Sequence, residues 1–203
     1  MSKIKLFSGM DFSGKSTIIK SINTYMPHTF RCQEKFLTSI DTLQKMIANN
    51  IWLPPREEFI PLLLEILEKD TSNYKEQGPI LQDTLWTIKF MAKLRSDTKN
   101  NYEKEINDLM ALILRYPNVD SYFITTTMEE RMKRYDMRVT AGKRISKSDT
   151  LIFSYDLFTE VEIQYKQIIF ELFPDTKLID TTFDSPDTIV EKLLRDRNFL
   201  NDL

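Results

Sequence analysis

Residues 9–17, which read GMDFSGKST, constrain the fold of this chain more than any other feature of its sequence. They match the pattern G-x-x-x-x-G-K-[ST], follow a short apolar run and precede a helical pattern. Such a loop turns successive backbone N–H groups inward, which requires glycine where φ is unusual or another atom approaches closely. The 203-residue chain has only four glycines, and Gly9 and Gly14 are two of them. The sequence therefore predicts a phosphate-binding loop between a strand and a helix, and we call residues 9–17 the phosphate loop.

The pattern assigns a ligand to each part of the phosphate loop. We expect Lys15 and the loop amides to hold the β- and γ-phosphates of a nucleoside triphosphate, and the Ser16 hydroxyl to ligate Mg²⁺. The helix that begins near Gly14 adds the positive end of its dipole. The predicted nucleotide-binding residues are Gly9, Ser13, Gly14, Lys15, Ser16 and Thr17.

Two acidic residues accompany the phosphate loop. Asp11 lies inside it, where bound phosphates would repel a carboxylate, so we expect its side chain to point toward the site of an acceptor hydroxyl and to bind or deprotonate that group. Capping of the loop's own backbone is the alternative role for Asp11. Asp83 ends an apolar strand pattern, where either a ligand of Mg²⁺ and its water or a helix N-cap is expected.

Short apolar runs alternate with longer helical patterns along the chain, which is typical of a parallel sheet covered by helices. We predict strands at residues 3–8, 29–32, 79–83, 121–125 and 177–180. We predict helices at residues 15–25, 38–49, 55–68, 85–98, 102–115, 128–138, 150–173 and 187–200. No repeat, low-complexity tract or linker divides these elements, so we expect residues 1–203 to form one α/β domain.

A basic segment, residues 131–147, carries seven lysines and arginines and one acid. Glu129 and Glu130 are spaced to pair with Lys133 and Arg134, as on a solvated helix face. The segment therefore contains both cations that are balanced locally and cations that are not.

Arg131 and Arg138 have no acidic residue at such a spacing, and their separation of seven places them on one helix face. We predict that these two arginines act as arms that close over a transferring phosphoryl group, with Gly142 as a candidate hinge. Nucleic-acid binding is the alternative for this segment. The net charge of −2 and the lack of aromatic residues beyond Tyr135 argue against it.

Single copies of two residue types exclude several kinds of site. Cys32 has no partner for a disulfide within the chain, and with His28 as the only histidine no Cys/His zinc site is expected. The longest uninterrupted apolar run has six residues, at 109–114, and the first residues show no apolar leader. We therefore expect a cytoplasmic protein without a membrane span.

The phosphate loop resembles the form found in thymidylate kinases, in which an Asp occupies the position of Asp11. Three further segments are similar, in order and spacing, to segments of that family. Residues 75–83 resemble a helix end that is followed by Gly and an apolar strand with a terminal Asp. Residues 120–131 resemble a strand and the helix that opens the lid, and residues 177–180 resemble the last strand. The resemblance implies the nucleoside-monophosphate-kinase type of P-loop fold, a five-stranded parallel sheet between layers of helices. It also implies ATP and Mg²⁺ as cofactors, a nucleotide or nucleoside acceptor, a homodimer, and a role for Arg31 in holding the acceptor's phosphate.

The resemblance weakens in the acceptor half of the site. The family follows its strand-end Asp with Arg, whereas Thr84 follows Asp83, and residues 59–67 lack the Arg of the preceding helix. Aromatic candidates for stacking on an acceptor base are Phe36, Phe59 and Trp86.

These features predict an ATP- and Mg²⁺-dependent phosphotransferase that phosphorylates dTMP or a related nucleoside monophosphate. A deoxynucleoside or other small-molecule kinase is one alternative, since it needs no clamp for an acceptor phosphate. A nucleotide-binding regulatory protein with impaired catalysis is the other.

Overall fold

The computed structural model describes residues 4–27, 31–32, 80–83, 119–143, 145, 153 and 155–200. Four predicted helices, at 38–49, 55–68, 85–98 and 102–115, lie outside these residues. So do the aromatic candidates Phe36, Phe59 and Trp86.

The described strands form one sheet in which all four pairings are parallel, in the order β2-β3-β1-β4-β5. Their bounds are β1 (Ile4–Ser8), β2 (Arg31–Cys32), β3 (Ile80–Asp83), β4 (Val119–Thr125) and β5 (Lys177–Asp180). Side chains are described in β1, β4 and β5, and β2 and β3 are known through their backbone pairing. The predicted parallel sheet is confirmed, and β1 lies at its centre.

The described helices are α1 (Lys15–Tyr25), α2 (Met128–Thr140), α3 (Tyr155–Leu172), α4 (Pro186–Arg195) and α5 (Arg197–Leu200). Helix α1 has the predicted bounds, and α2 extends to residue 140 instead of 138. Helix α3 ends at 172 instead of 173, and residues 150–152 of that prediction lie outside the described residues. Within the described part of the chain, none of these helices combines the length and the apolar character needed to span a membrane.

The prediction of one helix over residues 187–200 is wrong, because the chain leaves the helical conformation at Asp196. This residue has φ −72° and ψ 109°, in the extended region. Its carboxylate accepts a hydrogen bond from the backbone N–H of Asn198 at 2.9 Å, as an N-cap does. The Asp196 side chain thus ends α4 and starts α5.

Helices cover both faces of the sheet. Phe7, Tyr122 and Ile124 face a buried cluster formed mainly by isoleucines, valine and leucine of α1 and α4. Alternation along a strand turns Phe123 to the opposite face, where its ring packs on Tyr165 of α3 with the ring centroids 5.5 Å apart. Both faces of β1 and β4 are thus buried, and the phosphate loop starts where β1 ends, at the carboxyl edge of the sheet.

Candidate functional site

The turn from β1 into α1 depends on the two glycines of the motif. Gly9 has φ +146°, and a Cβ added there would lie 2.2 Å from the carbonyl oxygen of Ile124 in β4. Gly14 has φ +97° and directly precedes α1. Only glycine combines these conformations with so close an approach. The predicted sequence of strand, loop and helix is therefore present.

The side chain of Lys15 folds back over the phosphate loop. Its Nζ donates hydrogen bonds to the carbonyl oxygens of Gly9, at 2.8 Å, and Met10, at 3.1 Å. Only 8% of this residue is exposed. The ammonium group is thus held within the loop, where a phosphate oxygen would meet it.

The next three carbonyl groups of the loop are held by side chains from distant parts of the chain. The donor and acceptor pairs are Arg131 Nη1 to Asp11 O at 3.0 Å, Arg134 Nη1 to Phe12 O at 3.1 Å, and Thr181 Oγ1 to Ser13 O at 2.8 Å. A trans peptide places its C=O and the following N–H on opposite sides. Anchoring the Asp11 and Ser13 carbonyls outward therefore turns the N–H groups of Phe12 and Gly14 toward the inside of the loop, as an anion-binding nest requires, whereas the N–H of Ser13 donates to the carbonyl oxygen of Met10 at 3.3 Å.

Arg131 does not occupy the place that the sequence predicted for it. It is 1% exposed, forms an ion pair with Glu162 of α3, and donates from Nε to the carbonyl oxygen of Thr126 at 3.3 Å. Its guanidinium also lies over the ring of Phe158, 5.0 Å from the centroid. Burial lowers the pKa of Arg131, and the charge of Glu162 acts in the opposite direction.

The physical reason for this placement is the position of Arg131 in the first turns of α2, which pack against the end of β4. A cation buried there needs an acidic partner and fixed acceptors, and Glu162 and the Asp11 carbonyl provide them. In the structure Arg131 is a buried link under the phosphate loop, and it does not extend over the loop as an arm.

Arg134 is a functional candidate that the sequence reasoning missed. The predicted ion pair with Glu130 is present, with Nε and Oε1 3.0 Å apart. The same guanidinium also donates to the Oγ1 and the carbonyl oxygen of Thr181, at 2.9 and 2.7 Å, besides its bond to the loop. The spacing i, i+3, i+7 of Arg131, Arg134 and Arg138 was the signal available in the sequence.

The acidic partners on α2 differ in part from the prediction. Lys133 pairs with Glu130 at 3.3 Å, three residues away, and not with Glu129 as predicted. Burial raises the pKa of Glu130, but the hydrogen bonds from Arg134 and Lys133 outweigh it, so this pKa lies below its usual value. Glu130 therefore stays ionised and orients Arg134 toward the loop.

Arg138 is exposed and lies at the edge of the phosphate loop, with its guanidinium carbon 5.7 Å from the ring centroid of Phe12. Since Arg131 also contacts the loop, the prediction that both arginines share one face of α2 is confirmed. Gly142, with φ +65°, ends this helix, and Lys143 N donates to Arg138 O at 3.1 Å across the turn. Gly142 thus terminates α2, which is a role other than the predicted hinge.

A set of threonines joins the ends of β4 and β5 behind the loop. Thr181 is 3% exposed, and its N–H donates to the carbonyl oxygen of Thr125 at 2.9 Å. Thr182 Oγ1 accepts from the N–H of Thr127 at 3.1 Å. In the sequence, the only sign of this link between β4 and β5 was the presence of consecutive threonines at the end of each strand.

Three more of the predicted residues, Asp11, Ser16 and Asp83, lie around the same edge of the sheet. Asp11 is half-buried within the loop, and Ser16 lies in the first turn of α1. Asp83 is the last residue of β3 and pairs in register with Phe7, just before the loop. Arg31 lies in β2, in register with Ile80 of β3, which itself pairs with Ile4, so its backbone is level with the start of β1 and not with the loop.

The residue types predicted for the metal site are chemically suited to Mg²⁺. A hydroxyl from Ser16 and a carboxylate from Asp83 are the hard oxygen ligands that this ion takes, together with phosphate oxygens and water. Among the residues that the structure describes, no group of three or more His, Cys, Asp or Glu side chains forms a metal site independent of phosphate.

Comparison with known proteins assigns this arrangement to a fold. No protein-family model and no curated protein matches the sequence. Among solved structures, thymidylate kinase from Candida albicans is similar, with a TM-score of 0.64 and 16% identity over 99% of this chain and 93% of that chain. Deoxyadenosine kinase from M. mycoides has a TM-score of 0.59 and 13% identity over 98% of this chain and 99% of that chain. Shikimate kinase from Acinetobacter baumannii has a TM-score of 0.53 and 14% identity over 100% of this chain and 94% of that chain.

The chain has a P-loop fold of the nucleoside-monophosphate-kinase type. The fold expected from the resemblance of the loop sequence is thereby confirmed. In this chain the phosphate loop follows β1, the central strand of the sheet. With identities of 13–16%, the likeness concerns the fold.

The close approach at Gly9 predicts unequal effects for two Gly-to-Ala changes. Both Gly9 and Gly142 have positive φ, but nothing lies within 4 Å of a Cβ added at Gly142. We expect Gly142→Ala to lower the free energy of unfolding by about 1–2 kcal/mol and Gly9→Ala by about 3–5 kcal/mol. Urea denaturation measures both variants, and equal losses would contradict the packing of Gly9 against Ile124.

The burial of Arg131 predicts that it matters more for stability than Arg138. Arg131→Ala leaves Glu162 without its cation and the Asp11 carbonyl without its donor, and we expect a loss of about 2–3 kcal/mol in the free energy of unfolding. Arg138→Ala, the matched exposed control on the same helix face, should cost less than about 1 kcal/mol. Denaturation curves of the two variants that coincide would show that Arg131 is not a buried link.

Proposed function

We propose that this protein is an ATP- and Mg²⁺-dependent phosphotransferase that phosphorylates a nucleotide, with dTMP or a related nucleoside monophosphate as the first candidate. The observation that carries the proposal is the anchored phosphate loop. Lys15 holds two of its carbonyls, and Arg131, Arg134 and Thr181 hold the next three. A backbone fixed in this way is prepared to receive phosphates before they bind.

The donor half of the site has a role for each described group. The loop backbone at Gly9, Ser13, Gly14 and Thr17 would surround the β- and γ-phosphates, and Lys15 would contact the same oxygens. Ser16 would hold Mg²⁺ directly and Asp83 through water. When bound, the ion neutralises charge on the phosphate oxygens during transfer.

The acceptor half rests on Asp11, Arg31 and Arg138. The Asp11 carbonyl is held by Arg131, which fixes the backbone from which the Asp11 side chain extends. We propose that the Asp11 carboxylate orients the acceptor hydroxyl, that Arg31 holds the acceptor, and that Arg138 stabilises charge on the transferring phosphoryl group. Stacking of the acceptor base on Phe59 or Trp86 stays a prediction.

A nucleoside acceptor is the second candidate. Thr84 stands where the resembling family has an Arg, and residues 59–67 lack the other cation expected to engage an acceptor phosphate. Deoxyadenosine kinase, whose name gives a nucleoside as its acceptor, is also among the similar structures. Both observations favour an acceptor without a phosphate group of its own.

A coupled assay for ADP release tests the proposal with a panel of nucleosides, nucleoside monophosphates and shikimate as acceptors. We expect turnover that depends on Mg²⁺ and on one class of acceptor. Lys15→Ala should reduce kcat by about 100-fold or more, because it removes a cation that contacts the transferring group. Lys20→Ala, on the exposed side of α1, is the matched control and should leave kcat unchanged.

Two results of this assay would reject the phosphotransferase. If calorimetry shows that Mg·ATP binds but no acceptor supports turnover, the regulatory nucleotide-binding protein is favoured. If the wild-type protein does not bind Mg·ATP, both the phosphotransferase and the regulatory nucleotide-binding protein are rejected.

A further inference from the structure

A series of hydrogen bonds runs from Arg134 of α2 through Thr181 to the phosphate loop. Arg134 Nη1 donates to Thr181 Oγ1 at 2.9 Å, and Thr181 Oγ1 donates to the carbonyl oxygen of Ser13 at 2.8 Å. Arg134 Nη2 also donates to the carbonyl oxygen of Thr181 at 2.7 Å, so two bonds fix the guanidinium against this residue. Thr181 is 3% exposed, and the series is therefore shielded from solvent at its centre.

The direction of each bond in this series follows from the chemistry of the two side chains. A guanidinium group only donates, so Thr181 Oγ1 accepts from it and has one proton left to give. Two carbonyl oxygens lie within reach of that proton, Ser13 O at 2.8 Å and Thr125 O at 3.2 Å. Thr125 O already accepts from the N–H of Thr181 at 2.9 Å. The hydroxyl proton therefore points to Ser13 O, at the shorter distance.

The carbonyl that receives this proton belongs to the peptide between Ser13 and Gly14. In the described part of the chain, Thr181 is the only donor to Ser13 O. The N–H of Gly14, on the opposite side of the same peptide, faces the inside of the loop and donates to no acceptor among the described residues. A hydrogen bond from a charged donor is stronger than one between neutral groups, and bonds in series polarise one another. The charge of Arg134 thus acts, through Thr181, on an N–H that faces the phosphate site.

We propose that Thr181 is a positioning residue that passes the polarising effect of Arg134 to the Ser13–Gly14 peptide and so strengthens the hydrogen bond from the Gly14 N–H to a phosphate oxygen. The inference rests on the proposed function, since a phosphate in the loop is the acceptor that this N–H needs. Thr181 acts through the backbone of the loop and does not itself touch the nucleotide. A charge on α2 thereby contributes to phosphate binding through a neutral side chain.

A double-mutant cycle on the full chain tests this coupling, with the Kd for Mg·ATP measured by calorimetry. Thr181→Val keeps the shape of the side chain but removes the hydroxyl, and we expect it to weaken binding by about 10-fold, as the loss of one charge-assisted hydrogen bond does. Arg134→Gln should weaken binding by about 10-fold in the wild-type background and by less than about 3-fold in the Thr181→Val background. The remaining effect comes from the direct contact of Arg134 with the carbonyl oxygen of Phe12.

Two further variants separate this role from a general loss of structure. Thr181→Ser keeps the hydroxyl and should bind Mg·ATP within about 2-fold of the wild-type protein. Thr176→Val is the matched control, because Thr176 is 7% exposed and donates from Oγ1 to the carbonyl oxygen of Phe173 at 2.6 Å. Thr176 lies just before β5, at the opposite end of this strand from Thr181. This control should lower the free energy of unfolding and leave the Kd unchanged.

The Gly14 amide can be observed directly, because the four glycines of the chain give only four backbone amide signals after glycine-selective ¹⁵N labelling. A stronger hydrogen bond moves the signal of an amide proton downfield in the NMR spectrum. We expect Mg·ATP to move the Gly14 signal downfield in the wild-type and Thr176→Val proteins, and by a smaller amount in Thr181→Val and Arg134→Gln. Equal shifts in all four proteins would show that the charge of Arg134 does not reach this N–H, and the inference would be wrong.

The outcomes distinguish this inference from the proposed function. If the wild-type protein binds Mg·ATP but the effects of Thr181→Val and Arg134→Gln simply multiply, the role of Thr181 is wrong and the phosphotransferase stands. If the wild-type protein binds no Mg·ATP, the proposed function and the role of Thr181 are both wrong. Effects that do not multiply, with rescue by Thr181→Ser, support the inference. If Thr181→Val does not fold, the Gly14 signal of Arg134→Gln compared with that of the wild-type protein decides.

Discussion

The buried guanidinium of Arg131 is the interaction on which the other parts of the site depend. A cation that is 1% exposed is tolerated only when its donors are satisfied, and here they reach Glu162 in α3, the end of β4 and the phosphate loop. These contacts connect α2, α3, the sheet and the loop through one side chain. The loop is thereby held by packed secondary structure on its outer side.

The same arrangement determines the electrostatics of the phosphate loop. Lys15 and Arg134 join Arg131 in contacting consecutive loop carbonyls, so three cations surround a short piece of backbone. Glu130 and Glu162 neutralise part of this charge and fix the direction of the two arginines. Lys15 and the N-terminus of α1 favour an anion on the inner side of the loop.

Sequence alone predicted the features that depend on local pattern. The phosphate loop, β5 and α1 follow from glycine spacing, apolar runs and helix periodicity, which are properties of neighbouring residues. The burial of Arg131 did not follow, because it depends on Glu162, a partner 31 residues away on another helix. The support from Thr181 was missed for the same reason, since its acceptor, Ser13, is 168 residues away. The break at Asp196 was missed because hydrophobic periodicity does not distinguish one continuous helix from two consecutive helices.

The long sequence separations of the loop anchors have a consequence for synthesis and folding. The motif itself is made within the first 17 residues, but the donors to its carbonyls are separated from them by 120, 122 and 168 residues. Contacts of such high sequence separation form late, because the intervening chain must be ordered first. The N-terminal motif therefore attains its anchored geometry only after Thr181 has been translated and the end of β5 has docked beside β4. Nucleotide binding by this loop would then report completion of the fold and not the presence of its N-terminal part.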